Sequence, residues 1–145
     1  MKFKNKIYLD YDDINSMNMN LVNIVSKFKP DLIVGITRGG LLPALHLSHH
    51  LDRPLKTIVW QTRDNSSCEI NTDLQEMINK GTRTVFVDDI NDTGRTFTEI
   101  NTAYHGDSSN VMFTSLVQKT DTSFSANAAL TIDDERWIIY PWEKD

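Results

Sequence analysis

VFVDDINDTGRT, residues 85–96, runs three apolar β-formers into a cluster of carboxylates and then into a Thr-Gly-Arg-Thr turn. The turn opens a predicted helix, where free backbone N–H groups and the positive dipole end favour an anion. Gly94 lets the backbone come close, and Thr93 and Thr96 add hydroxyl donors. Asp92, Thr93, Gly94, Arg95 and Thr96 therefore read as a phosphate cradle. Asp88 and Asp89, at the strand tip, cannot bind phosphate themselves, but they can accept from sugar hydroxyls or hold a Mg²⁺ through water. The pairing suggests a phosphorylated sugar. Taken alone, the stretch also reads as a solvated helix N-terminus with capping acids.

Working outward, strands alternate with helices. Residues 84–87 form the strand before the cluster and 93–104 the helix after it. Upstream, Asp12 or Asp13 caps a helix carrying Ile14, Met17, Leu21, Ile24, Val25 and Phe28 at helical spacing, with Lys27 and Lys29 at its C-terminus and Pro30 as its stop. DLIVGI (31–36) is a buried-strand run, 41–51 a helix with Pro43 in its first turn, 55–60 a strand, and 73–80 a short helix ended by Gly81. Residues 61–72 are polar and lack periodicity. Strands are expected near 111–117 and 128–132. This order predicts an α/β fold with a mainly parallel central sheet flanked by helices. Right-handed crossovers place every strand-to-helix loop at one sheet edge, where ligands of such sheets sit.

A second loop shares that edge. In ITRGG, consecutive glycines after a buried strand let backbone amides wrap an anion, and Arg38 adds charge and a forked donor set. By itself Arg38-Gly39-Gly40 is a surface turn. Beside the cradle, it supplies a second anion site in the same crevice.

Composition bounds the rest. At 145 residues and 39% hydrophobic, the chain suits one domain spanning 1–145. Fifteen basic against 20 acidic residues give a net charge of −5, which argues against a nucleic-acid surface and against binding acidic membranes by bulk charge. A single cysteine, Cys68, excludes an internal disulfide and a multi-cysteine zinc site. No apolar run approaches a membrane span, and MKFKNKIYLD lacks an export h-region, so a reducing cytoplasmic setting is expected. His46, His49 and His50, on a predicted helix without an acidic partner pattern, read as structural or solvent-facing.

VFVDDINDTGRT resembles the phosphoribosyl pyrophosphate (PRPP) signature of type I phosphoribosyltransferases, and IVGITRGGLLPA resembles their pyrophosphate loop. DDERWIIYPWE is similar to the C-terminal end of the bacterial xanthine-guanine branch, and QKT (118–120) falls where that branch places a purine-contacting lysine. The resemblance spans about residues 7–143. It implies transfer of phosphoribose from PRPP to N9 of a 6-oxopurine, with Mg²⁺ and release of pyrophosphate. By that mapping Asp88 and Asp89 hold ribose hydroxyls and metal, residues 92–96 hold the 5′-phosphate, and Thr37, Arg38, Gly39 and Gly40 grip the pyrophosphate. The Thr37–Arg38 peptide is where a cis bond is expected. Asp92 is the catalytic carboxylate near purine N7, a residue that separates 6-oxopurine from adenine and orotate enzymes. Trp137 stacks on the base, the Ile138 carbonyl meets its 2-substituent and Lys119 donates to the 6-oxo group, within a base-binding segment of about 119–143. Without the resemblance, Lys119 reads as a surface lysine and Trp137 as a core aromatic.

The chain departs from the pattern in residues 63–76, a mobile loop at about 61–72 and its flank, which carry Arg63 as their only basic residue where the branch has several. Ser66 and Ser67 are candidate donors there. Relatives imply a homodimer or homotetramer, with the apolar helix around 41–51 as a candidate interface. Two rivals stand beside this reading. One is a PRPP-sensing or RNA-binding regulator on the same fold, favoured by the thinned basic loop and opposed by the acidic balance. The other is an aspartate-nucleophile phosphatase using Asp10 and Asp12 after a strand, which leaves RGG, TGRT and the WIIYPWE tail without a task.

Overall fold

A computed structural model describes residues 5–61, 68, 70–104, 109–133 and 135–144. Its elements are β1 (Lys6–Tyr8), α1 (Tyr11–Ser26), β2 (Leu32–Thr37), α2 (Leu41–Leu51), β3 (Leu55–Val59), α3 (Thr72–Asn79), β4 (Thr84–Asn91), α4 (Arg95–Tyr104), β5 (Val111–Lys119), β6 (Asn127–Ile132) and β7 (Trp137–Ile139). Five strands form a sheet in the order β3-β2-β4-β5-β6, every pair parallel. β1 and β7 pair in parallel as a separate two-stranded sheet.

Strand alternation divides the core into two layers. On one face Ile33, Val85, Val87 and Leu116 meet Ile14, Met17, Leu21 and Val25 of α1 and Ala44 and Leu47 of α2. On the other, Leu32, Val34, Ile36, Phe86 and Phe113 meet Leu74 and Ile78 of α3 and Phe97, Ile100 and Tyr104 of α4. Both faces of the central strands are apolar, as a helix-covered parallel sheet requires. The expected α/β architecture is the one observed.

Several boundaries differ from expectation, and those at α1 and around the carboxylates have local reasons. The cap of α1 is Asp10, not Asp12 or Asp13: its Oδ1 accepts from Asp13 N at 2.8 Å while Asp10 N donates to Asp13 Oδ2 at 2.9 Å, a reciprocal capping box. α1 ends at Ser26, so Lys27 is its C-cap and Lys29 lies beyond it in left-handed backbone at φ 55°. β4 continues through the carboxylates to Asn91, because Asp88, Ile90 and Asn91 stay paired with Ser115, Val117 and Gln118 of β5. α4 accordingly starts at Arg95 rather than Thr93.

β7 was not anticipated. Three residues give too short a periodicity to recognise, and its partner lies 131 positions away (Ile7 with Ile138). The polar stretch expected at 61–72 closes earlier, since Asn71 caps α3 by accepting from Leu74 N at 2.9 Å. Residues 62–67 and 69, with Arg63, Ser66 and Ser67, lie outside the described residues. Cys68 is described, and its thiol donates to the Gln61 carbonyl at 3.1 Å.

Candidate active site

β2 and β4 are neighbours, so the turns that follow them meet beyond the sheet edge. A Cβ built on Gly39 would land on the Asp89 carboxylate, and one on Gly40 would overlap the backbone carbonyl of Val87. Glycine is required at both positions by close approach, not by φ. Arg38 sits exposed at the head of this turn, Thr37 Oγ1 donates to the Ile58 carbonyl at 3.1 Å, and the Thr37–Arg38 peptide is cis. Gly40 N donates back to the Ile36 carbonyl at 2.8 Å, which closes the turn into α2.

Asp88 and Asp89 stand side by side at the β4 tip, where Asp89 N donates to Asp88 Oδ1 at 2.8 Å. Burial raises both carboxyls above the ordinary range, and for Asp88 the neighbouring Asp89 charge adds to it. Two crowded carboxylates of this kind favour a cation or hydroxyl donors arriving from outside.

Beyond them Asp92 and Thr93 are exposed, and Gly94 turns the chain at φ 93° into α4. The Arg95 side chain runs along α4 and pairs with Glu99 at 2.8 Å. What Arg95 offers the turn in this arrangement is its backbone amide, to which Thr93 Oγ1 lies at 3.3 Å.

A cavity of about 550 Å³ opens beside this tip, lined by Asp89, Asp92, Lys119, Trp137, Ile138 and Tyr140 among others. The structure thus brings Lys119, Trp137 and Ile138 to the carboxylate cluster, although they come from three stretches of sequence. Lys119 is buried and its Nζ donates to the Arg136 carbonyl at 3.1 Å, whereas Trp137 is 39% exposed and Ile138 5%.

Several lining residues fall within the expected 119–143 segment without having been singled out there. Asp121, Glu135, Arg136 and Glu143, with Ile90 of β4, complete the wall, and Tyr140 donates its hydroxyl to the Asp89 carbonyl at 2.8 Å. Their one signal was proximity to Lys119 and to the WIIYPWE tail. Asp10 and Asp12, the pair of the phosphatase reading, go to the start of α1: Asp10 is occupied in its cap, Asp12 lies in its first turn, and neither lines the cavity.

The profile of the phosphoribosyl transferase domain matches residues 7–106. The chain belongs to the phosphoribosyltransferase family. Among relatives of this phosphoribosyltransferase, the xanthine-guanine phosphoribosyltransferase of Cereibacter sphaeroides is 31% identical over 118 residues, covering 77% of this chain and 68% of that one. A purine phosphoribosyltransferase from Pyrococcus horikoshii superposes with a TM-score of 0.80 at 31% identity, covering 97% of this chain and 95% of that one. The xanthine-guanine-hypoxanthine phosphoribosyltransferase of Helicobacter pylori shares the fold, with a TM-score of 0.72 at 23% identity over 94% and 92% of the two chains. The type I fold and the nearness to the xanthine-guanine branch agree with the reading of the two loops.

Proposed function

We propose that this phosphoribosyltransferase moves phosphoribose from PRPP to N9 of a 6-oxopurine, forming the nucleoside 5′-monophosphate and pyrophosphate. The observation that carries the proposal is the shared wall of one cavity: Asp89 and Asp92 of the phosphoribosyl side stand with Lys119, Trp137 and Ile138 of the base side. The names of the relatives from Cereibacter sphaeroides and Pyrococcus horikoshii support the purine assignment.

The 5′-phosphate would lie on the amides and hydroxyls of residues 92–96, at the N-terminus of α4. Asp88 and Asp89 would accept from the ribose hydroxyls. Arg38 with the amides of Gly39 and Gly40 would hold the pyrophosphate and stabilise negative charge gathering on it as the anomeric bond opens. The acidic β4 tip tolerates the positive charge left on the sugar. Asp92 would hold the proton at purine N7, Lys119 would donate to the 6-oxo group, the Trp137 ring would stack on the base and the Ile138 carbonyl would meet the 2-substituent.

A Mg²⁺ fits this donor set. Among the described residues no group of three or more His, Cys, Asp or Glu side chains is arranged to hold a metal, whereas Mg²⁺ commonly uses one or two carboxylates plus substrate phosphates. When bound it supplies the positive charge that lets an acidic chain accept a polyanion. Assembly as a homodimer or homotetramer belongs to the same reading, supported by Leu41, Leu42 and Leu45, each at least 40% exposed on α2. Among the described residues no helix is long and apolar enough to cross a membrane, which fits action on dissolved substrates.

The test is direct. Purified protein with Mg²⁺ and PRPP is offered hypoxanthine, guanine, xanthine, adenine and orotate, with nucleotide formation followed by absorbance. Product with one or more of the first three and none with the last two is expected; turnover of adenine or orotate alone, or of no base, would overturn the proposal.

A further inference from the structure

β5 and β6 are parallel, yet only residues 120–126 join them. Parallel neighbours ordinarily need a crossover of a dozen or more residues, usually a helix. Here the chain returns extended across the α4 face, where Phe124 packs edge-on against Phe97 and Phe113 at centroid distances of 5.9 and 5.1 Å. That path takes the return directly over the phosphate turn. Ser123 donates to the Thr93 carbonyl twice, from its amide at 2.9 Å and its hydroxyl at 2.8 Å. Asn91, 3% exposed, donates to Gln118 Oε1 at 2.9 Å and to the Phe124 carbonyl at 2.6 Å, and accepts from Thr122 Oγ1 at 3.2 Å. Gln118 Oε1 also accepts from Ala126 N at 2.8 Å.

From the other side Tyr140, 3% exposed and stacked on Trp142 at 4.8 Å, holds the Asp89 carbonyl. Residues 89, 91 and 93 are therefore each fastened by the C-terminal part of the chain, and Gly94 lies against the same return, where a Cβ would meet Phe124 N, Ser123 Oγ and Thr122 Oγ1. All the fastening groups, Gln118, Thr122, Ser123, Phe124 and Tyr140, lie beyond the 7–106 stretch that matches the family profile. They are also continuous in sequence with Lys119 and Trp137 on the base side.

We infer that Tyr140 and Ser123 are positioning residues: from the base side of the cavity they hold the 89–94 segment in the shape that grips the phosphoribosyl donor, without touching the donor themselves. The inference rests on the proposed function. The buried Tyr140 hydroxyl fixes the Asp89 carbonyl to which it donates, and the exposed Ser123 hydroxyl adds a second bond to the Thr93 carbonyl, so losing either loosens the segment without removing any group from the donor's surface.

Tyr140→Phe keeps the ring and its stack, and Ser123→Ala keeps the amide bond to Thr93. For each variant, PRPP affinity with Mg²⁺ is measured by calorimetry, KM for PRPP and for hypoxanthine by steady-state kinetics, and Tm by calorimetric melting. Each variant is expected to weaken PRPP binding and raise its KM about fivefold or more, with the hypoxanthine KM and Tm close to wild type. Unchanged PRPP affinity in both variants, or equal rises in both KM values together with a lowered Tm, would overturn the inference alone. A wild-type protein that takes up no PRPP would overturn the proposed function and this inference with it.

Discussion

At the residue scale the site depends on what is absent at Gly39. Its missing Cβ is the space in which the Asp89 carboxylate sits. Gly39→Ala must displace the Asp89 carboxylate from its place against the 38–40 turn, and displacements of this order cost about 10²-fold in rate. A drop in kcat/KM of that size, with a circular dichroism spectrum like wild type, is the expected outcome. Asp92 allows a different separation, because it stands exposed between the cradle and the cavity. Asp92→Asn is expected to lower kcat by about 10²-fold or more, the scale of general acid–base catalysis, while calorimetric PRPP affinity changes far less; equal losses in both would remove Asp92 from its role at N7.

Asp88 and Asp89 make a prediction about stability. Burial raises both in the folded chain, so between the ordinary carboxylate value of about 4 and their raised values the native state binds more protons than the unfolded one. Stability contributed by this pair must then fall as pH rises through that window. Melting of the metal-free protein from pH 4 upward should show the decline, and Asp88→Asn should flatten it and raise Tm at neutral pH even as it impairs turnover.

At the element scale, legibility followed periodicity. α1, α2 and β2 were readable because apolar residues recur at 3.6 or run almost continuously over five positions, and β3 because Thr57, Ile58, Val59 and Trp60 are strand formers. β4 was read only to Val87: Asp88, Asp89 and Asn91 are poor strand formers, and what keeps them in the ladder is β5 and the partners that Asn91 finds in Gln118 and Phe124. Those partners are more than 25 residues distant, so no local window contains them. The loops of the candidate site were legible for the opposite reason, since glycines, carboxylates and hydroxyls at strand ends carry their chemistry locally. Tyr140 was not, because its role depends on a single carbonyl 51 residues away.

The α1 cap tests the rejected phosphatase geometry as well as helix energetics. Asp10→Asn preserves a good cap and should leave both Tm and transferase turnover near wild type. Asp10→Ala removes the carboxylate that accepts from Asp13 N, at a cost of about 1 kcal/mol and roughly 3 °C in Tm. Retained turnover in both variants is the expected result, and loss of it in Asp10→Asn would reopen a catalytic role for that residue.

At the scale of the whole molecule, charge governs ligand capture. A chain of net charge −5 whose cavity wall sets Asp89, Asp92, Asp121, Glu135 and Glu143 against Lys119 and Arg136 keeps an acidic excess that repels a polyphosphate until positive charge is supplied. Calorimetric PRPP uptake should therefore vanish in EDTA and return with added Mg²⁺; full affinity in EDTA would mean that Arg38 and the backbone amides suffice.

The pairing of β1 with β7 has a practical consequence for anyone who edits the front of this chain. Among the described residues, the strand bearing Trp137 and Ile138 has only residues 6–8 as its ladder neighbour, with Leu9 N donating to the Ile139 carbonyl at 3.0 Å and Trp137 N to the Asn5 carbonyl at 3.3 Å. Trimming the first nine residues, or straining them with an affinity handle, would therefore be felt at the Trp137–Ile138 wall of the cavity, although those residues lie at the far end of the sequence from it.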